Sequence, residues 1–146
     1  MGIRDEGLGI REWGLEIMGQ YGPIQHFTDI QAWKIGREIR KRVYAIVKRL
    51  PKEEQYSLGS QMRRAAISVT ANIAEGYGRY HYQETIQFCR QSRGSLYELQ
   101  DHLVTCLDEN YISKDEYEEI FALTESGVKA LNGYIRMLQR RKRSEE

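Results

Sequence analysis

The sequence predicts an all-α protein, an up-down-up-down four-helix bundle. Three observations carry that reading. Apolar residues recur at helical rather than alternating spacing through four segments of 20 to 30 residues. Only two prolines fall in 146 residues, so little interrupts those segments. Hydrophobic residues make up 40% and charged residues 29%, which supports one real core and is too little chain for two ordinary domains.

The first helix opens at "FTDIQAW", with Thr28 as N-cap and Gln31 completing a capping box. Ile35, Ile39, Val43, Ile46 and Leu50 form its core stripe, and Pro51 ends it. Trp33, Tyr44 and Val47 lie on another side of the same helix. A helix apolar on two sides has two partners, so these three are expected at a subunit interface. The second helix runs from about Glu53 to Glu75, with Leu58, Met62, Ala66, Val69 and Ile73 at helical period. Gly76 is expected as a left-handed C-cap. Ala65, Ala66, Ser68, Ala71 and Ala74 permit close backbone approach, which makes this the most central helix and asks buried partners of Asn72.

"GYGR" (76–79) supplies the turn. A third helix follows from Tyr82 to Asn110, carried by Ile86, Cys89, Leu96, Leu99, Leu103 and Leu107, with Gly94 and Ser95 as a second close-approach point. The fourth opens at Ser113, with Glu116 closing another capping box, and continues through Tyr117, Ile120, Phe121, Val128, Leu131, Ile135 and Leu138. The domain reading is an N-terminal extension over 1–26, the bundle over 27–140 and a charged tail over 141–146. Six of thirteen glycines precede residue 23, which suggests a loosely ordered arm, and that arm has no signal-peptide pattern.

The net charge of +1 hides a partition. Residues 34–93 hold 13 Lys/Arg against 5 Asp/Glu, while residues 98–125 hold 1 lysine against 9 acids. On the first helix Lys34, Arg37, Lys41 and Lys48 fall within about 60° of one another, opposite the core stripe. Arg63 and Arg64 follow on the second helix, Arg79 on the turn, and Arg90 and Arg93 on the third. A basic excess of this size, repeated around an oligomer, attracts phosphates; its plain alternative is a solvated face balanced by neighbouring glutamates. Tyr77, Tyr80 and Tyr82 flank Arg79 and are candidates for base stacking or for packing.

Little in the chain points to catalysis. His26, His81 and His102 sit in no metal-ligand pattern, and "GYGR" lacks the lysine and spacing of a phosphate loop. The expectation is a non-enzyme without cofactor or metal. Cys89 and Cys106 read as buried thiols in a reducing cytoplasm, and no apolar run reaches the ~20 residues of a membrane span.

The motifs "QMRRAAISVTANIAEGYGR" and "RGSLYEL", in that order within four matching helices, resemble a family of four-helix bundles. That family was first noticed in proteins encoded within intervening sequences of bacterial large-subunit ribosomal RNA genes. The likeness spans Phe27 to Leu138. It implies a non-enzymatic bundle assembled as a homopentameric ring. Relatives include the accessory variability protein that works beside a reverse transcriptase in diversity-generating retroelements, which implies nucleic-acid binding through a basic surface. Thr70 stands where the family often has proline, so any kink there is milder, and the first 26 residues match nothing in the family. With the resemblance added, binding of structured RNA or RNA/DNA becomes the leading reading, as accessory to a reverse transcriptase or RNA-processing machinery. A protein–protein scaffold is the alternative, and a hydrolase or metalloprotein with a hidden site is the third.

Overall fold

A computed structural model of the chain describes residues 24–145, and these hold four helices in the expected order. They are α1 (Gln31–Lys48), α2 (Leu58–Tyr77), α3 (Tyr82–Asp108) and α4 (Lys114–Glu145). Helix α1 packs on α2 and α4, and α3 packs on α2 and α4, so α1 and α3 are diagonal partners. Among the described residues there is no strand. The up-down order places the starts of α1 and α3 and the ends of α2 and α4 at one end of the bundle.

The core takes up most of the stripes read from the sequence, but Ile35, Leu58 and Tyr117 are only partly buried at its edge, and Leu107 and Phe121 lie outside it. Ile39, Val43, Ile46, Met62, Ala65, Ala66, Val69, Ile73, Leu96, Leu99, Leu103, Ile120, Leu131 and Leu138 are all buried. Helices α2 and α3 cross closely where Ser92 donates from Oγ to the Val69 carbonyl at 2.7 Å. Beside it Ser95 Oγ donates to Ser68 Oγ (2.8 Å), and Asn72 Nδ2 donates to the same hydroxyl (2.8 Å) and to the Ser68 carbonyl (2.9 Å). Asn72 is thus only half-buried and finds its partners on its own helix. Helices α1 and α2 approach at Gly36, where a Cβ would meet Thr70 Cγ2 and Val69 Cγ1 at 3.0 Å.

Several local expectations are corrected. Thr28 lies inside a 3-10 turn over Phe27–Asp29, and the capping box belongs to His26 and Asp29. Helix α1 begins later, after Ile30, with no side-chain cap. Glu53 and Glu54 form a second 3-10 turn with Lys52, so α2 starts at Leu58. Gly76 is helical and caps nothing; a Cβ there would fall 2.7 Å from Phe88 Cβ, so its role is close contact with α3. The left-handed residue of the connection is Tyr80, at φ 56°. Gly94 faces open space, leaving the close approach to Ser92 and Ser95. Ala71 is exposed because it lies about 140° round the helix from Ala66. No helix is central, since each has two packed neighbours and one outer side.

At α4 the Ser113 cap is present, accepting from the Glu116 N–H at 3.1 Å, while the Glu116 carboxylate pairs with Arg49 instead of closing the box. The helix runs on to Glu145, so residues 141–145 are its last turn rather than a separate tail. Ile24 is buried and the Gln25 and His26 N–H groups donate to Asp29, so the bundle begins by residue 24. The remainder of the expected extension, residues 1–23, lies outside the described residues.

Candidate nucleic-acid interface

The nine candidate cations separate into two kinds. Arg63, Arg64, Arg79 and Arg93 are engaged within the subunit. Arg63 donates to the Gln55 carbonyl (3.1 Å) and Arg93 crosses to Asn132 on α4 (2.7 Å). Arg64 pairs with Glu98 of α3 at 2.6 Å. Arg79 pairs with Glu75 at 3.1 Å and lies 5.2 Å from the Phe88 ring centroid. Such groups already have acceptors, so phosphate would have to displace them.

Lys34, Arg37, Lys41, Lys48 and Arg90 are the other kind. All five are exposed, and none forms an ion pair among the described residues. Lys34, Arg37 and Lys41 share a shallow depression with Thr28, Trp33 and Glu38. Glu38 lies 3.6 Å from Arg42, which itself reaches Glu119 of α4 at 3.2 Å. The outer face of α1 therefore presents a row of cations whose nearest carboxylate faces other partners.

The expected interface set is not exposed as a group. Val47 is 1% exposed, packed within the subunit against the close approach at Gly59, because the α1–α2 turn folds back over it. Trp33 is half-buried, edge-on to Phe27 at 5.6 Å between ring centroids, and its remaining surface opens into the cationic depression. Tyr44 is half-buried. Large apolar residues do stand exposed elsewhere: Ile67 on α2, and Tyr97 and Val104 on α3. Two of the three tyrosines around Arg79 are packing residues: Tyr77 and Tyr82 are buried, and only Tyr80 reaches solvent.

The acidic segment is partly neutralised inside the chain. Arg42–Glu119, Arg49–Glu116 and Arg64–Glu98 all join the basic first half to the acidic second half. His102 Nε2 lies 3.0 Å from Glu98, and the Cys106 thiol sits against Met62 Sδ at 3.7 Å, so each is engaged by a different partner. Burial pushes the Cys106 thiol up to about 11 and the Cys89 thiol to about 12, far from a metal-ready thiolate. Among the described residues no three His, Cys, Asp or Glu side chains gather as a metal site, and no helix is long and apolar enough to cross a membrane.

A search of curated proteins matches none. A family model described as "23S rRNA-intervening sequence protein" matches residues 28–133. That span takes in all of α1, α2 and α3, most of α4 and every candidate cation, and by it the chain belongs to the 23S rRNA-intervening sequence protein family.

Proposed function

We propose that this protein is a non-enzymatic, oligomeric bundle that binds nucleic acid, structured RNA or an RNA/DNA duplex, along the outer face of α1. The observation that carries the reading is the row Lys34, Arg37, Lys41 and Lys48, exposed and without ion pairs on a molecule where Arg42, Arg49, Arg64 and Arg79 are all paired. Unpaired cations contribute to phosphate binding by releasing condensed counterions, whereas paired ones must first break a contact. Trp33, opening into the same depression, offers a stacking surface for an unpaired base. The family's link to ribosomal RNA genes supports an RNA ligand, and the resemblance supports an accessory role beside a reverse transcriptase or RNA-processing machinery.

Gel-shift titration at low salt tests this. Replacing Lys34, Arg37, Lys41 and Lys48 by glutamine weakens binding to all sequences alike; Arg64→Gln and Arg93→Gln act through stability instead. Absence of binding by the wild type at low salt overturns the reading.

Assembly is part of the same proposal. A head-to-tail ring needs two different patches on each subunit. Ile67 on α2 and Tyr97 with Val104 on α3 provide exposed apolar surface for it, in place of Val47. These residues also favour the second reading, a protein–protein scaffold, if the protein retains no nucleic acid.

A further inference from the structure

Helix α1 carries six cations and a single acid, Glu38, and that acid lines the same depression as Trp33, Lys34, Arg37 and Lys41. A carboxylate among cations that hold phosphates weakens their pull on the strand, so its place there asks for a reason. An ordinary i,i+4 helix pair does not supply one. Arg42 Nε stands 3.6 Å from Glu38 Oε1, too far for a hydrogen bond, while Arg42 Nη1 donates to Glu119 of α4 at 3.2 Å. Among the described residues Lys34 and Lys41, four residues before Glu38 and three after it, form no ion pair with it, and Glu38 accepts no hydrogen bond.

Trp33 lies across the depression from it. The indole is held by Phe27, which meets it edge-on at 5.6 Å between ring centroids and packs in turn against the His26 ring at 4.2 Å. At 100° per residue Trp33 and Glu38 mark the two sides of an arc of about 140°, with Arg37, Lys41 and Lys34 between them. Their Cα atoms stand about 9 Å apart on a regular helix. A base laid against the indole therefore turns an edge toward Glu38, with its phosphate over the cations.

An ionised carboxylate only accepts hydrogen bonds, and its two oxygens accept side by side. Of the four RNA bases guanine alone sets two donors next to each other on its pairing edge, N1–H and N2–H. Adenine and cytosine set one amino donor beside a bare ring nitrogen, which repels the second oxygen, and uracil sets one N–H between two carbonyls. We propose that the α1 depression reads guanine: Trp33 stacks an unpaired guanine of the bound RNA, Glu38 accepts from its N1–H and N2–H, and Lys34, Arg37 and Lys41 hold the adjoining phosphates. The inference rests on the α1 face as the nucleic-acid surface and adds base identity to it.

Fluorescence titration of the full chain in a Trp13→Phe background, where Trp33 is the one remaining tryptophan, tests the site. The probes are an RNA hairpin with a 3′ overhang of four uridines, and the same hairpin with one of these replaced by guanosine, adenosine, cytidine or inosine, which lacks the 2-amino group. The guanosine probe quenches Trp33 most and binds roughly tenfold tighter than the uridine, adenosine and cytidine probes, the scale of one bidentate base contact, with inosine between. Glu38→Gln acts differently on two of the probes. The guanosine preference is lost, while the all-uridine probe binds at least as tightly as it does to wild type, because a negative charge beside the phosphates is gone. A folding defect weakens both alike. Equal affinity for all five probes, or a guanosine preference that survives Glu38→Gln, overturns the guanine assignment and leaves the α1 reading standing. No binding of any probe at low salt overturns both.

Discussion

At Gly76 a hydrogen atom is all that fits. A Cβ would stand 2.7 Å from Phe88 Cβ and 3.3 Å from the Thr85 carbonyl oxygen, both on the facing helix, and Thr85 Oγ1 donates to the Gly76 carbonyl at 2.8 Å. Gly76→Ala therefore destabilises by ~1–3 kcal/mol through overpacking. Gly94 has open space at the same place, so Gly94→Ala stabilises by up to ~1 kcal/mol through helix propensity. Denaturant melts of the two variants check both signs, and a loss at Gly94 equal to that at Gly76 would contradict the packing account. The two thiols make a second residue-scale prediction. Cys89 and Cys106 are fully buried and their thiols stay protonated at neutral pH, so the native chain resists alkylation while the denatured chain takes a label on each. Mass spectrometry after a brief iodoacetamide pulse reads this out.

Among the elements, the α1–α2 connection carries a pH dependence. Glu54 accepts from Ser57 Oγ at 2.8 Å and from the Tyr111 hydroxyl at 2.9 Å, and these bonds hold its carboxyl below the ordinary value. A carboxyl lowered in the folded state contributes stability above its unfolded value and loses that contribution as pH falls through the folded one. The bonds from Ser57 and Tyr111 accordingly favour the fold more at neutral than at acid pH, and Glu54→Gln should flatten the acid side of a stability–pH curve without changing the neutral fold. An unchanged acid limb would mean the contact is absent in solution. The four helices and their core stripes were legible because a 3.6-residue period is a property of the chain alone. Their ends were less so. Gly76 has the composition of a cap and the job of a packing contact, and only the position of Phe88 distinguishes the two. Likewise Trp33 and Val47 share a side of α1 on a helical wheel, yet Val47 is enclosed by the α1–α2 turn and Trp33 is not. The cationic row of α1 was visible in the spacing, and so were the i,i+4 pairs Arg42–Glu38 and Arg79–Glu75, whereas the pairing of Arg42, Arg49 and Arg64 with Glu119, Glu116 and Glu98 depends on α3 and α4, which no local pattern reveals.

For the whole molecule, among the described residues, the charges lean by end as well as by sequence, with Lys48, Arg49, Lys52 and Lys114 as cations at the more acidic end and Asp29, Glu38, Glu75 and Glu84 as acids at the more basic one. Lys34, Arg37, Arg90, Lys142 and Arg143 lie toward the end where α1 and α3 begin, and Asp108, Glu109, Asp115 and Glu118 lie at the other. Three interhelical ion pairs neutralise part of the contrast. Light scattering should return a mass several times 17.1 kDa, about five times if the ring follows the family resemblance, and Ile67→Glu or Tyr97→Glu should lower it. A wild-type mass of one subunit would remove the ring. The central claim, that the free row on α1 holds phosphates, is tested most directly by the salt dependence of nucleic-acid affinity. Four phosphate contacts predict a slope of log K against log salt of about −3 to −4 per engaged subunit. The account predicts that glutamine at Lys34, Arg37, Lys41 and Lys48 flattens that slope while the fold is kept; a slope unchanged by the four substitutions would contradict it.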